Sequence, residues 1–178
     1  MDMVLEYAKV FKENADMGSP DGPRAAQAIH ANGGQYIVNA YFTDQAQIDQ
    51  LVEEGLDLHP MNSNRVLQGN ADYGIGQYMK VKRKISDVKT FTDDKTGEPV
   101  DIDYGGEPIV GNLTQGRENK RLWNFGTDGP LGNGTKSKVK FEVYAKGAGV
   151  RLLALGVTEH VPYETNTVVS EDDELFIF

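Results

Sequence analysis

The stretch GQYMKVKRKI, residues 76–85, sets Tyr78, Lys80, Lys82 and Lys84 at alternate positions. Alternate side chains of an extended chain share a face. One phenol ring and three ammonium groups would therefore point one way. Met79, Val81 and Ile85 would point the other, with Arg83 intruding near the end. Lysines two positions apart lie about 6.6 Å apart along a strand, close to the spacing of phosphates in an extended nucleic-acid strand. The same pattern also suits a plain solvated face.

A second stretch, SKVKFEVYAK (137–146), repeats the arrangement. Val139, Phe141, Val143 and Ala145 alternate with Lys138, Lys140, Glu142, Tyr144 and Lys146. The segment RENKRLWNF (117–125) adds Arg117, Lys120, Arg121, Trp123 and Phe125, with the single tryptophan two residues from a Lys-Arg pair. Its alternative reading is a tryptophan packed in the core. Cations that follow a backbone, beside flat rings on which bases stack, are what single-stranded nucleic acid requires. Stacking contributes about 1–3 kcal/mol per base and tolerates any sequence. A duplex hides its base faces, so such rings would be idle there. Tyr36 and Tyr41 are weaker stacking candidates, because either also suits a core.

The last residues read SEDDELFIF, four acids and then four large apolar side chains beside the terminal carboxylate. A partner can grip the aromatic ring and carboxylate of Phe178 together, and the acids favour a basic pocket. They also resemble nucleic acid in charge. Fifteen flexible residues span about 20 Å end to end, enough to reach the protein's own basic surface.

Charge is distributed in the same sense. The whole chain carries −9, but residues 1–75 carry −7, residues 76–151 carry +4 and residues 152–178 carry −6. A basic middle thus sits in an acidic chain. The 178 residues suit one domain with tails, long enough for a real core. There is no cysteine, which excludes disulfides, thiolate metal sites and cysteine nucleophiles. MDMVLEYAKV lacks the basic flank and apolar run of a signal peptide, and no stretch reaches the ~18 apolar residues of a membrane span.

Strands must position these side chains. Alternation predicts strands over 3–13, 34–42, 76–85, 137–146 and 149–161, with a tight turn at 146–149. Pro23 and Gly33-Gly34 bracket a short helix. Ile48, Leu51 and Val52 mark another, with Asp44 and Gln47 as a capping pair and Gly55 as its stop. Between 86 and 136 the pattern weakens into glycine-rich loops. The expected fold is mainly β: a five-stranded OB-fold-like barrel with one or two short helices, with a sandwich as the alternative. Residues 1–163 would form the domain, and 164–178 a flexible acidic tail.

GGQYIVNAYF (33–42), VKFEVYAKGAGVRLLALGVTEHVPY (139–163) and the acidic end with its final phenylalanine together resemble the OB-fold single-stranded DNA-binding proteins of tailed bacteriophages. Bacterial single-stranded DNA-binding proteins share only the acidic end, where a proline precedes the phenylalanine; here Ile177 does. The resemblance implies a protein that coats DNA during phage replication and recombination, in the cytoplasm of the infected host. It implies that Asp172, Asp173, Glu174, Phe176 and Phe178 recruit replication proteins (a polymerase, helicase or nuclease) and moderate DNA binding.

Other motifs are weaker. Gly129 through Ser137 nearly spells a phosphate-binding loop, with one residue too many and strand-like sequence where a helix is needed. His30, His59 and His160 lack metal spacing. Asp101 and Asp103 share a strand face and could hold a metal in a nuclease. The reading is therefore a non-catalytic single-stranded DNA-binding protein without cofactor, metal site or membrane contact, with a homodimer left open. Tyr78, Lys80, Lys82, Lys84, Lys120, Arg121, Trp123, Lys138, Lys140, Tyr144 and Lys146 would contact DNA. A metal-dependent nuclease or a virion assembly protein are the alternatives.

Overall fold

A computed structural model describes residues 1–18, 33–62 and 65–163. In chain order the elements are β1 (Asp2–Lys9), β2 (Gln35–Phe42), α1 (Gln45–Glu53), β3 (Leu67–Gln68), β4 (Gln77–Lys84), β5 (Val88–Thr92), β6 (Pro99–Asp103), β7 (Ile109–Asn112), β8 (Arg121–Leu122), α2 (Phe125–Asp128), β9 (Lys136–Tyr144) and β10 (Gly149–Glu159). The helix expected after Pro23 and the segment 164–178 lie outside the described residues. So do the tail residues Asp172, Asp173, Glu174, Phe176 and Phe178.

Five strands close into a barrel in the order β4-β2-β1-β9-β10, and β10 returns to β4. The first barrel strand pairs antiparallel with the second and the fourth. The third and fifth close the barrel in parallel, with Arg151 beside Lys82. This is a five-stranded OB-fold-like barrel.

Alternation fills it. Met3 and Leu5, Val38, Ala40 and Phe42, Met79 and Val81, Val139, and Leu152, Leu155 and Val157 are buried. Each of these side chains larger than alanine stabilises the fold by about 1.5–3 kcal/mol. Helix α1 adds buried Ile48 and Leu51. Asp44 Oδ1 accepts from the Gln47 backbone N–H at 3.0 Å, and Gln47 Oε1 accepts from the Thr43 N–H at 2.8 Å. The helix stops at Gly55, whose φ of 103° suits glycine.

Three features differ from the sequence reading. Strand β1 ends at Lys9, not 13, and its register with β2 slips between Glu6 and Lys9. This bulge holds Tyr7 at φ 50° and flips the alternation, so Ala8 and Val10 turn inward. The interval 86–136 holds four strands and a helix, where loops were expected. Its β5–β6 hairpin is exposed on every residue, so the short alternation of Val100 and Ile102 with Asp101 and Asp103 marks no buried face. The β9–β10 turn is a short 3₁₀ turn over Ala145–Gly147, with Ala145 and Lys146 themselves at positive φ.

Candidate nucleic-acid interface

On β4, Met79 and Val81 face the core, while Tyr78, Lys80, Lys82 and Lys84 face outward. The register with β2 places Tyr41 beside Tyr78, Asn39 beside Lys80, Ile37 beside Lys82 and Gln35 beside Lys84. Strand β1 extends two of these rows, with Glu6 next to Asn39 and Lys9 next to Ile37. The outer surface of β1, β2 and β4 thus carries aromatic side chains at one end, the buried Glu6 and Asn39 beside them, and the cations Lys80, Lys82, Lys84 and Lys9 along β4 and the end of β1.

The aromatic end is a cluster of three tyrosines. Tyr41 lies 5.4 Å from Tyr73 and 5.0 Å from Tyr78, centroid to centroid. Tyr41 is the buried centre, 1% exposed. Its hydroxyl donates to Glu6 Oε1 and accepts from the Asn70 N–H, each at 3.0 Å. Burial pushes its phenol up from the usual value. Tyr73 and Tyr78 remain half-buried around it. Gly69 is required here, because a Cβ would collide with the Tyr41 hydroxyl and the Tyr78 ring.

Lys82 occupies the centre of the cationic part. It is half-buried, and among the described residues its ammonium has neither an ion pair nor a hydrogen bond. Burial, and then the charge of Lys80, holds its ammonium below the ordinary lysine value. Beside it, Arg151 lies over the rings of Tyr144 and Tyr104, 4.4 and 4.9 Å from their centres. Its guanidinium pairs with Glu142 and lies 3.8 Å from Asp87. Asp87 is also 3.9 Å from Lys84 and 3.4 Å from Lys89. Two carboxylates, Asp87 and Glu142, among three cations leave the group with one net positive charge. Gln35, Lys82, Lys84, Asp87, Tyr144 and Arg151 line a cleft of about 200 Å³. Tyr144 keeps 44% of its surface open there.

Arg83, with inward parity, donates to Leu152 O at 3.3 Å and Gly105 O at 2.9 Å, while its Nε has no partner. It ties β10 to the base of the β5–β6 hairpin. Asp103 fixes that base further, accepting from the Asp87 and Gly105 N–H groups, each at 2.9 Å.

The other sequence-derived candidates fall elsewhere. Lys138 and Lys140 point outward from β9, but β9 is not a neighbour of β4. Strand β10 separates them on one side, and β1 with β2 on the other. The two lysine rows are therefore not adjacent, although Glu142 and Tyr144 at the far end of β9 reach the β4 side through Arg151. Lys138 is moreover held by Asp2 at 2.9 Å. Trp123 is 9% exposed in the core, donates Nε1–H to Gly129 O at 2.9 Å and meets His160 edge-on. It offers no open face for a base. Arg121 is committed to both carboxylate oxygens of Asp128, at 2.6 and 2.7 Å. Lys120, beside it, is exposed at the edge formed by β7 and β8. Lys146 is exposed in the turn that follows Tyr144. Tyr36 is buried.

Lys9, Tyr73, Lys89, Tyr104 and Arg151 belong to the β4 side and were not singled out in the sequence. Lys9 is displaced outward by the bulge, and the rest are brought in by non-local pairing. The near phosphate-loop leads into strand β9, so it presents no helix amides. Asp101 accepts from the Thr90 hydroxyl at 2.6 Å, and among the described residues there is no group of three metal-ligating acids or histidines. No family model, curated protein or solved structure matches the chain.

Proposed function

We propose that this protein binds single-stranded nucleic acid, without reading sequence and without catalysis, on the outer face of β1, β2 and β4. The observation that carries the reading is Lys82. A half-buried ammonium without an acidic partner among the described residues opposes folding, and a phosphate would supply the missing charge. Lys80, Lys84, Lys9 and the Lys82 neighbour Arg151 extend the cationic track. Tyr78, Tyr73 and Tyr144 supply ring faces at its two ends. The face is the one that OB-fold proteins use for oligonucleotides.

The resemblance to phage single-stranded DNA-binding proteins supports DNA as the ligand and replication or recombination as the setting, in the infected host's cytoplasm. It also supports recruitment of replication proteins through Asp172, Asp173, Glu174, Phe176 and Phe178. The test is titration with fluorescent oligo-dT, duplex DNA and RNA at two salt concentrations. The expected result is preference for oligo-dT over duplex, with a salt slope of about −0.7 per phosphate neutralised and intact strands when magnesium is added. Equal or tighter duplex binding, or shortening of the oligonucleotide, would overturn the reading.

A further inference from the structure

The β5–β6 hairpin stands apart from the barrel sheet as a two-stranded sheet of its own. A lone two-stranded hairpin is marginal in water, and this one leaves Phe91, Val100 and Ile102 at 42–47% exposure. The pairing explains how they are arranged. Lys89 opposes Ile102 and Phe91 opposes Val100, so these four share one face. Thr90 opposes Asp101 and Val88 opposes Asp103, which puts both strand acids on the reverse face. The Tyr104 ring meets Phe91 edge-on at 6.4 Å and continues the apolar face to the hairpin base. There the same ring lies under Arg151, which also lies over the Tyr144 ring. An aromatic and cationic line therefore runs from Lys82 through Tyr144, Arg151 and Tyr104 out to Phe91.

We propose that the β5–β6 hairpin is a binding arm, on which the strand leaving the barrel face continues, with its bases against Phe91 and Tyr104 and its backbone near Lys89. This rests on the proposed single-strand binding and extends it. Three features favour nucleic acid over a second copy of the chain. The face is continuous with the cationic cleft. Its strand cation is Lys89, which shares Asp87 at the hairpin base with Lys84 and Arg151, while both acids within the hairpin strands lie on the reverse face. Its area is also small: five residues per strand give about 17 Å of length and two strands about 10 Å of width, roughly 170 Å². A stable interface buries about 800 Å² per partner.

The arm adds a length dependence that the barrel face alone lacks. The full-length protein is titrated with oligo-dT of about 4 to about 16 nucleotides, the span of OB-fold site sizes. Variants are Phe91→Ala, Phe91→Leu, Lys89→Gln and, on the reverse face, Val88→Ala. The shortest oligonucleotides should bind all five proteins alike. On the longest, Phe91→Ala and Phe91→Leu should each lose about 5–150-fold, the stacking of one base. Lys89→Gln should lower the salt slope by about 0.7, and Val88→Ala should match the parent. Phe91→Leu keeps an apolar contact for Tyr104 but no flat ring, so its loss separates stacking from hairpin folding. Unchanged binding of both Phe91 variants at every length would overturn the arm and leave the barrel face standing. If the parent binds no oligonucleotide, both proposals fall. A parent dimer that Phe91→Ala turns into a monomer with unaltered oligonucleotide affinity would assign the hairpin to self-association and overturn the arm.

Discussion

Arg151 of β10 and Lys82 of β4 stand side by side across the parallel junction that closes the barrel. Arg151 is compensated by Glu142 and Asp87 and flanked by two rings. Lys82 has no such compensation among the described residues. The residues that shut the fold thus also concentrate positive charge on one outer face, and the uncompensated member marks where an anion is expected.

Lys82→Gln should weaken oligo-dT binding about tenfold or more, since a hydrogen bond to a charged group contributes about 1.5–3 kcal/mol. Its salt slope should fall by about 0.7. Thermal stability should stay level or rise, because the substitution removes a half-buried charge. A lower melting temperature with unchanged binding would contradict this; calorimetry and anisotropy measure the two.

The pH dependence follows from the same side chain. Lys82 titrates below the ordinary 10.5 because of burial and Lys80. Between its lowered value and 10.5 the unfolded chain binds more protons than the folded one, so stability rises with pH in that window. At lower pH the destabilisation is fully present. Affinity has the opposite sign: phosphate binding needs the charged ammonium, so it declines as pH rises through the lowered value. Oligo-dT affinity from neutral pH to about 10.5 should begin to fall earlier for the parent than for Lys82→Gln.

Trp123 should behave as a core residue. Its fluorescence reports on a single site, because the chain has one tryptophan. Emission should be blue-shifted and little quenched by oligo-dT, and Trp123→Ala should destabilise by about 3–5 kcal/mol. Strong quenching on binding would return the ring to the interface.

The Arg121–Asp128 pair should matter for the local turn and not for the ligand. The Arg121 hydrogen bonds, assisted by the Asn124 N–H, hold Asp128 down at about 2 from 3.8. A depressed carboxylate contributes stability that is present above 3.8 and lost as pH falls through about 2. Arg121 is exposed while the Asp128 side chain is largely covered; with one partner in solvent, Arg121→Ala should cost about 0.2–1 kcal/mol at neutral pH and leave oligo-dT affinity unchanged. Acid titration of unfolding, with and without the substitution, checks both.

The strands of the barrel were legible because apolar residues alternate along them, most cleanly on β4, which has one wet and one dry face. On β4 the alternation assigns every outward lysine directly. What alternation does not carry is how outward faces of different strands relate. Lys140 and Lys82 look equivalent along the chain, and only closure through β10 sets them apart. The hairpin carries no burial signal in the sequence because both its faces are wet. Lys9 was masked by a bulge that inverts the phase of β1. Trp123 was misplaced by its closeness in sequence to Lys120 and Arg121, whereas its burial is decided by contacts distant along the chain.

Deleting residues 164–178 should tighten oligo-dT binding, most at low salt where acidic side chains are least screened. Unchanged or weaker affinity would count against competition between that segment and DNA.

The most direct test sets the two lysine faces against each other. Oligo-dT affinity and salt slope are measured for a double variant on β4, Lys80→Gln with Lys82→Gln, and for one on β9, Lys138→Gln with Lys140→Gln. A path over β1, β2 and β4 predicts that the first variant loses affinity and about 1.4 units of slope, while the second matches the parent. Loss confined to the β9 variant, or equal loss in both, would contradict it.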